Sequence, residues 1–455
     1  MHGVQAVASS NLAAPAWRPA REALSNPSIP LPLPQRLHLG ATTQSADVIV
    51  IGAGAAGLAA ADELARRGRH ALVLEARERV GGRCWTRRMP GLEIPVELGA
   101  EFVHGEAKVT HALLKKAGLS VVDSVREQRF LDHGRLRSID GFMEARRAAR
   151  LAADLDRDVS FAAFLARLRL PARTKDFARM MVEGFDAADP WRVSTRSIAE
   201  EWSGGELGDS QPRPQRGYGA LLGWLANAIV ANGGELRLGA LVSNVRWKPG
   251  AVMVSGKFLG ERFTARAKHA IVTLPLGVLQ AGPLRFPEKR AALRKLASGP
   301  VIRVAMRFHR PFWEKRAPGV AFFHSSAAPF PTCWTPLPMR APLLTAWAGG
   351  PKAARLTGSP VRKLVDAALT SVESLFGNGP RALLAAAYVQ DWMHDPYSRG
   401  AYSYVLVGGM GAREELAAPL AGTVFFAGEA TESEEAGTVA AALRSGVRAA
   451  REALG

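Results

Sequence analysis

The chain has 455 residues, 47% of them apolar and 22% charged, a globular composition in a chain long enough for two domains. No apolar run approaches the ~18–20 residues that cross a bilayer, and two cysteines, Cys84 and Cys333, are too few for a disulfide framework or a zinc cluster; a reducing, cytoplasmic setting without membrane or metal is expected. The net charge of +18 invites a nucleic-acid partner, but the basic residues are scattered and no aromatic platform interleaves them, so none is expected.

Residues 1–45 are rich in Ala, Pro and Ser and carry neither a helical nor a strand period. They lack the basic start and apolar block of a signal peptide and read as a disordered leader. At Asp47 the pattern sharpens. Val48 to Ile51 is a short β-branched run, as expected of a strand buried on both faces. Gly52, Gly54 and Gly57, with Ala56 between the last two, follow with G-x-G-x-x-G spacing. The first glycine allows the tight turn, the second lets a pyrophosphate approach the backbone, and the third lets the next helix pack closely. That spacing alone is weak in a chain with 45 glycines. Its context is stronger: a helix over Leu58 to Arg67, with its positive end toward any phosphate, and a second strand over Ala71 to Leu74. Glu75 closes that strand where a carboxylate should meet a ribose hydroxyl. An acid there points to FAD or NAD and away from NADP.

Gly81-Gly82 beside Arg83 marks a backbone that bends or approaches a ligand closely, with a guanidinium in reach of a phosphate. Lys108 to Arg179 reads as mostly helical, as over Glu144 to Asp158 and Phe161 to Leu170. A helix stopped by Gly233-Gly234 then precedes paired strands that turn at Pro249-Gly250, and His269 begins a buried strand running into a proline turn. Val301 to Phe308 and Leu343 to Ala348 read as strands, Val361 to Phe376 as a helix. The end returns to the style of the opening: a buried strand ending at Gly428-Glu429, then an alanine-rich helix over Gly437 to Ala453. The two ends of the chain are therefore expected to fold together.

Taken in order, the blocks VIVIGAGAAGLAAA, LEARERVGGR, ELGAEFVHG, HAIVTLPLGVL, HRPFW, DWMHDPYSRGAYSY and AGEATESEEAGTVAAALRSGVRAA resemble the flavin-dependent amine oxidases, a family that includes monoamine oxidases, polyamine oxidases and flavin histone demethylases. The resemblance runs from Asp47 nearly to the last residue. It implies an α/β fold: a Rossmann-like FAD-binding domain built from discontinuous segments (46–107, 215–290 and 401–455) and an α+β substrate domain of the amine oxidase type (108–214 and 291–400). It also implies FAD as cofactor, a small-molecule amine as substrate and molecular oxygen as electron acceptor.

By the same resemblance Glu75, with Ala76 and Arg77 beside it, would hold the adenosine ribose, and Gly82 and Arg83 the phosphate or ribityl region. Gly99, Ala100, Glu101 and Phe102 would pass under the isoalloxazine, and Val242 would touch adenine through its backbone. Glu429 would lie near the pyrophosphate and ribityl chain. Gly437, Thr438 and Val439 would bring a helix N-terminus to flavin N1 and O2, where it stabilises the negative charge of a reduced flavin. Tyr402 would flank the substrate face of the flavin and His104 would line the cavity near the ring.

Three departures carry information. Arg303 takes the position of a lysine that holds a water against flavin N5. Arginine does not lose its proton, so Arg303 keeps a fixed positive charge there, which opposes a cationic amine and implies slow reaction with oxygen. The alternative function is therefore a flavin dehydrogenase or desaturase of a non-amine substrate. Ala401 stands where monoamine oxidases carry the cysteine that attaches FAD, which implies a non-covalent cofactor. Thr438 replaces the second tyrosine of their aromatic cage. Glu432, Glu434 and Glu435, just before Gly437, are expected beside the cavity, where they would draw a cationic amine.

Overall fold

The structure, a computed structural model, describes residues 6–8, 44–138, 141–152, 155–203, 211–282 and 284–455. Val48–Ile51 is the middle strand of a five-stranded parallel sheet whose order is 235–238, 71–75, 48–51, 269–272, 424–426. Ile51 pairs with Leu74 on one side and with Val272 on the other, and Val272 with Phe426. The sheet thus takes strands from both ends and the middle of the chain.

The uninterrupted apolar run follows from burial on both faces. Val48, Val50 and Val73 face helices Ala55–Arg66, Tyr218–Ala231 and Val439–Leu454. Ile49, Ile51, Leu72 and Leu74 face an antiparallel layer that includes Val242, Val254 and Ala265. The alanine-rich helices lie very close to one another. A Cβ on Gly446 would stand 2.1 Å from the Ala56 carbonyl oxygen, and one on Gly57 would stand 1.9 Å from that of Gly52. The first helix begins at Ala55, three residues before its expected start, so Gly57 lies within it.

The second layer is an eight-stranded mixed sheet in the order 6–8, 384–391, 301–308, 343–349, 332–334, 322–324, 128–132, 135–137. In Val301–Phe308 the even positions Ile302, Val304 and Met306 pack under the helix Val361–Phe376. Ala305 packs on the opposite face against Met89, Val96 and Leu98. Arg303 shares that second face by strand alternation, and there it reaches the carbonyl of Gly99.

Two expectations are corrected. Lys108 to Arg179 holds strands as well as helices: 121–122 and 128–132 pair with segments far along the chain, and 135–137 pairs back on 128–132. The expected helix from Glu144 to Asp158 spans Gly141–Arg150 instead. Asp158 lies beyond it and accepts hydrogen bonds from Ser194 Oγ and Gly408 N. Within the expected leader, Ala6–Ala8 pairs antiparallel with Tyr388–Ala386 and Gln44–Ser45 runs parallel to Ala265–Arg266; the rest of that stretch lies outside the described residues. Among the described residues no helix is long and apolar enough to cross a membrane and no cluster of metal ligands occurs. Cys84 and Cys333 are free and buried.

Candidate active site

The carboxyl ends of the parallel strands open onto a cavity of about 1460 Å³ that continues across to the mixed sheet. Ligand sites of ~300–1,000 Å³ are usual, so this one has room for a dinucleotide and a second molecule together. Every residue expected to hold the cofactor or flank its ring lines it except Gly57, which seats the helix on the strand instead.

At the nucleotide end, Glu75 Oε2 accepts from Ala53 N and Oε1 from Arg77 N, each at 2.8 Å. The carboxylate is therefore fixed at the tip of its strand. The Arg77 side chain turns away to Asp395, at 2.9 and 2.6 Å, and to Ser398 Oγ, clipping the 391–400 loop to the tip of the 71–75 strand. Gly54 precedes the first helix in extended conformation and no side chain caps that helix. A Cβ at Gly54 would meet nothing within 4 Å, so the side of this residue that faces the cavity is open to a ligand. A helix N-terminus that donates, an open glycine and a fixed carboxylate that accepts are the groups a dinucleotide requires. The residues fit FAD.

Further in, Arg83 Nη1 donates to Glu429 Oε1 at 2.8 Å and to the Ala401 carbonyl. Burial would raise the Glu429 carboxyl, but Arg83 and Arg413 hold it below its ordinary value. A Cβ on Gly99 would stand 1.7 Å from the Arg83 carbonyl oxygen, so only glycine permits this crossing. Thr438 Oγ1 caps the last helix, accepting from Ala441 N at 3.1 Å and donating to the Glu435 carbonyl at 2.6 Å.

The far end is aromatic. Tyr402 Oη donates to the Phe185 carbonyl at 2.6 Å, and burial drives its phenol well above the ordinary range. His104 meets the edge of Phe185, with ring centroids 5.3 Å apart, and burial lowers its pKa to about 4. It is therefore neutral at physiological pH. Arg303 donates to the Gly99 carbonyl at 2.8 Å and pairs with Glu101, whose other oxygen accepts from Arg213 Nε at 2.7 Å. Trp334 Nε1 joins the Arg303 oxygen of Glu101 at 3.0 Å. Burial opposes ionisation of Glu101, yet the two arginines keep its pKa below the ordinary value. The fixed charge expected of Arg303 is thus answered by Glu101.

Sequence reasoning missed Arg213, Trp334, Phe185 and Asp186. Arg213 and Trp334 belong to strands of two and three residues, too short for a period to register. The expectation for Glu432, Glu434 and Glu435 is corrected: none lines the cavity. All three face Arg444 of the last helix, at 2.9, 3.9 and 3.0 Å, and Glu435 also accepts from Ala107 N. The arginine one helical turn and more into that helix captures the loop that precedes it.

A family model described as flavin containing amine oxidoreductase matches residues 55–454. Among curated relatives, the lysine-specific histone demethylase 1 homolog 3 of Arabidopsis thaliana is 28% identical over 89% of this chain, and lysine-specific histone demethylase 2 of Homo sapiens is 27% identical over 89%. The chain spans only 29% and 53% of the lengths of those two proteins. Polyamine oxidase 2 of Arabidopsis thaliana is 29% identical, with 90% of this chain and 88% of that protein matched. A structure of wild-type putrescine oxidase bound to putrescine superposes with a TM-score of 0.78 at 22% identity, over 91% of this chain and all of that one. The cyclohexylamine oxidase from Brevibacterium oxydans IH-35A gives 0.76 at 22%, over 89% and 98%.

Proposed function

This chain is an oxidoreductase that belongs to the family of flavin-containing amine oxidoreductases, and we propose that it holds FAD non-covalently and oxidises the C–N bond of a small primary or secondary amine. The bound flavin supplies the acceptor for a hydride equivalent from the carbon next to the nitrogen, and water hydrolyses the resulting imine. The chain's own residues bind and orient. Glu75, Gly54 and the helix N-terminus at Ala55 would hold the nucleotide, and Arg83 and Glu429 its middle. Val439 with its cap Thr438 would offer amide donors to the ring.

The observation that carries this reading is one continuous cavity with a dinucleotide donor set at one end and Tyr402, Phe185, Trp334 and neutral His104 at the other. Those four side chains exclude water, and no acid partner holds His104 Nδ1 to position it as a base, which suits a neutral amine as the reactive form. The segments 46–107, 215–290 and 401–455 are proposed as the FAD-binding domain, with 108–214 and 291–400 as the substrate domain. Oxygen is proposed as the acceptor.

The test is a visible spectrum of the purified protein followed by anaerobic addition of amines. A yellow preparation that bleaches, and that releases its flavin on acid precipitation, is the expected result. A protein that stays colourless after incubation with excess FAD would overturn the reading. A flavin dehydrogenase or desaturase of a non-amine substrate is the second reading, favoured by the locking of Arg303 between Gly99 and Glu101. It predicts turnover with an artificial acceptor, little oxygen uptake, and no response to amines.

A further inference from the structure

We propose that a single buried water bridges Glu97 and Arg303 in a small void beside the active-site cavity, and that it couples the Glu97 carboxyl to the charge of the cavity floor. The water site is independent of what the cavity binds; its effect on a bound flavin rests on the reading above.

A void of about 20 Å³ has Glu101, Arg303 and Trp334 as walls in common with the main cavity, and Glu97, Arg213 and Thr345 among its others. One water needs about 10–15 Å³. Two side chains in these walls each leave a buried polar atom without a partner in the protein. Glu97 is 6% exposed; its Oε1 accepts from both Thr86 Oγ1 and Tyr218 N, while Oε2 accepts from nothing. Arg303 is 2% exposed; Nη1 donates to the Gly99 carbonyl and Nη2 to Glu101, while Nε donates to nothing. No other residue that lines the void has a buried side-chain atom in that condition. The two are neighbours, since the Arg303 charge acts on the Glu97 carboxyl. Buried polar groups are paired as a rule. A donor without an acceptor and an acceptor without a donor, on one void of this size, are satisfied together by a molecule that does both.

The bridge holds in both states of the carboxyl. Ionised, Oε2 accepts from the water. Protonated, it carries the proton, because Oε1 already accepts from two donors, and it donates to the water instead. Glu101 and the Thr345 hydroxyl, in the same walls, are the acceptors for the water hydrogens then released. Burial raises Glu97 to about 7, so both states are populated near neutrality. Its other neighbours do not titrate there. Burial pushes the Cys84 thiol up to about 12 and the Tyr218 phenol well above its ordinary range. Glu101, despite burial, is held below its ordinary value by Arg303 and Arg213. With those two arginines and Glu101, the group carries a net charge of +1 when Glu97 is protonated and zero when it is ionised. The floor of the cavity therefore loses one positive charge as pH rises through about 7, and with it part of its support for negative charge on a bound flavin.

The experiment uses the full chain and has three arms. A crystal structure that resolves ordered water is expected to show one within hydrogen-bond distance of Glu97 Oε2 and Arg303 Nε; direct contact between those atoms, or no density there, overturns the bridge. In infrared spectra, the band of the protonated carboxyl that is lost in Glu97→Gln is followed against pH. Thr345→Ile keeps the β-branched shape and replaces the hydroxyl with an ethyl group that fills the void. Without the water as donor to the carboxylate, the midpoint of that band is expected to rise by about one unit or more, whereas Thr345→Ser should leave it in place. A melting curve of each variant confirms that it is folded, and equal midpoints in the parent and Thr345→Ile overturn the coupling. In the FAD-loaded protein, the flavin potentials of the parent and Glu97→Gln are expected to coincide below about pH 6 and to separate above about pH 8, with the parent the lower. A separation that does not change with pH overturns the effect on the flavin. A protein that takes up no FAD overturns that effect together with the cofactor reading, and leaves the water site to the first two arms.

Discussion

Arg303 and Glu101 form an ion pair beneath the aromatic end of the cavity, and the pair is held from both sides. The Gly99 carbonyl accepts from Arg303 at 2.8 Å, and Arg213 Nε donates to the other oxygen of Glu101 at 2.7 Å. Arg303 is 2% exposed. A buried pair that loses one member usually costs about 3–5 kcal/mol, because the remaining charge is left uncompensated.

Here Arg213 would still answer Glu101, so Arg303→Met is expected to destabilise by less, about 1–3 kcal/mol. Adding Glu101→Gln should then cost a further few kcal/mol, about 2–4, because it leaves the buried Arg213 guanidinium without its carboxylate. Urea unfolding of the two single variants and the double variant measures the coupling; strict additivity would show that the pair does not act as a unit.

The same geometry bears on oxygen. Lysine at 303 keeps a charge but has one donor group where arginine has a planar fork, so it cannot hold Gly99 and Glu101 in the same way. Arg303→Lys is expected to speed reoxidation of the reduced protein in air, followed by return of the yellow colour after rapid mixing. Equal rates in the two proteins would remove Arg303 as the cause of slow oxygen reaction.

Gly54 and Gly57 separate binding from folding. A Cβ at Gly54 meets nothing, and the residue is in extended conformation that alanine adopts freely, so Gly54→Ala should melt within a degree or two of the parent apoprotein. It should nevertheless lose FAD about tenfold or more, because the methyl group occupies the side a pyrophosphate must approach. Gly57→Ala would drive its methyl to 1.9 Å from the Gly52 carbonyl oxygen, and is expected to cost several kcal/mol or to prevent accumulation of folded protein. Fluorescence-detected FAD titration and thermal melting of both variants decide this. A Gly54→Ala protein with unchanged FAD affinity would place the nucleotide elsewhere.

Much of the nucleotide end is legible in the sequence because its signals are local. The Val48–Ile51 run, the glycine turn and Glu75 fall within one strand–helix–strand unit, and the structure places them at one end of the cavity. The substrate end is built from pairings between distant segments. Arg213 meets Glu101, Trp334 meets Glu101, and Tyr402 meets the Phe185 carbonyl. No residue in those pairs is near its partner in sequence, and all five sit in loops, turns or very short strands. The acid loop 432–435 shows the same failure in reverse, since its position before Gly437 is clear but its capture by Arg444 depends on how the last helix faces.

His104 is expected to stay neutral across the working range, since burial lowers its pKa to about 4. A histidine acting as general base would instead impose an inflection near 6–7 on the pH profile. His104→Asn should therefore lower anaerobic flavin reduction by a modest factor, about threefold to thirtyfold, without moving the shape of the profile between pH 5.5 and 9. Loss of an inflection in the variant would assign His104 a proton-transfer role.

Glu97 gives a stability signature of opposite sign to the histidines. It lies beneath the site, accepting from Thr86 Oγ1 at 2.8 Å and from Tyr218 N at 2.7 Å, and burial raises its pKa to about 7 despite both bonds. The folded state therefore holds a proton that the unfolded chain releases near pH 4.5. Stability contributed by the protonated carboxyl is present at low pH and lost as pH rises toward 7, after which the loss levels off. A shift of that size corresponds to about 3 kcal/mol. His104 and His324, both lowered by burial, act the other way and destabilise the fold as pH falls below about 6. A bare pH curve mixes these effects, so the informative quantity is the difference between the parent and Glu97→Gln, in which the histidines cancel. The carboxamide keeps an acceptor for Thr86 and Tyr218 but cannot ionise. Relative to the parent, the variant should gain up to about 3 kcal/mol between pH 5 and pH 8 in urea unfolding. Parallel curves would mean that Glu97 titrates at its ordinary value and that the site floor is wetter than its burial implies.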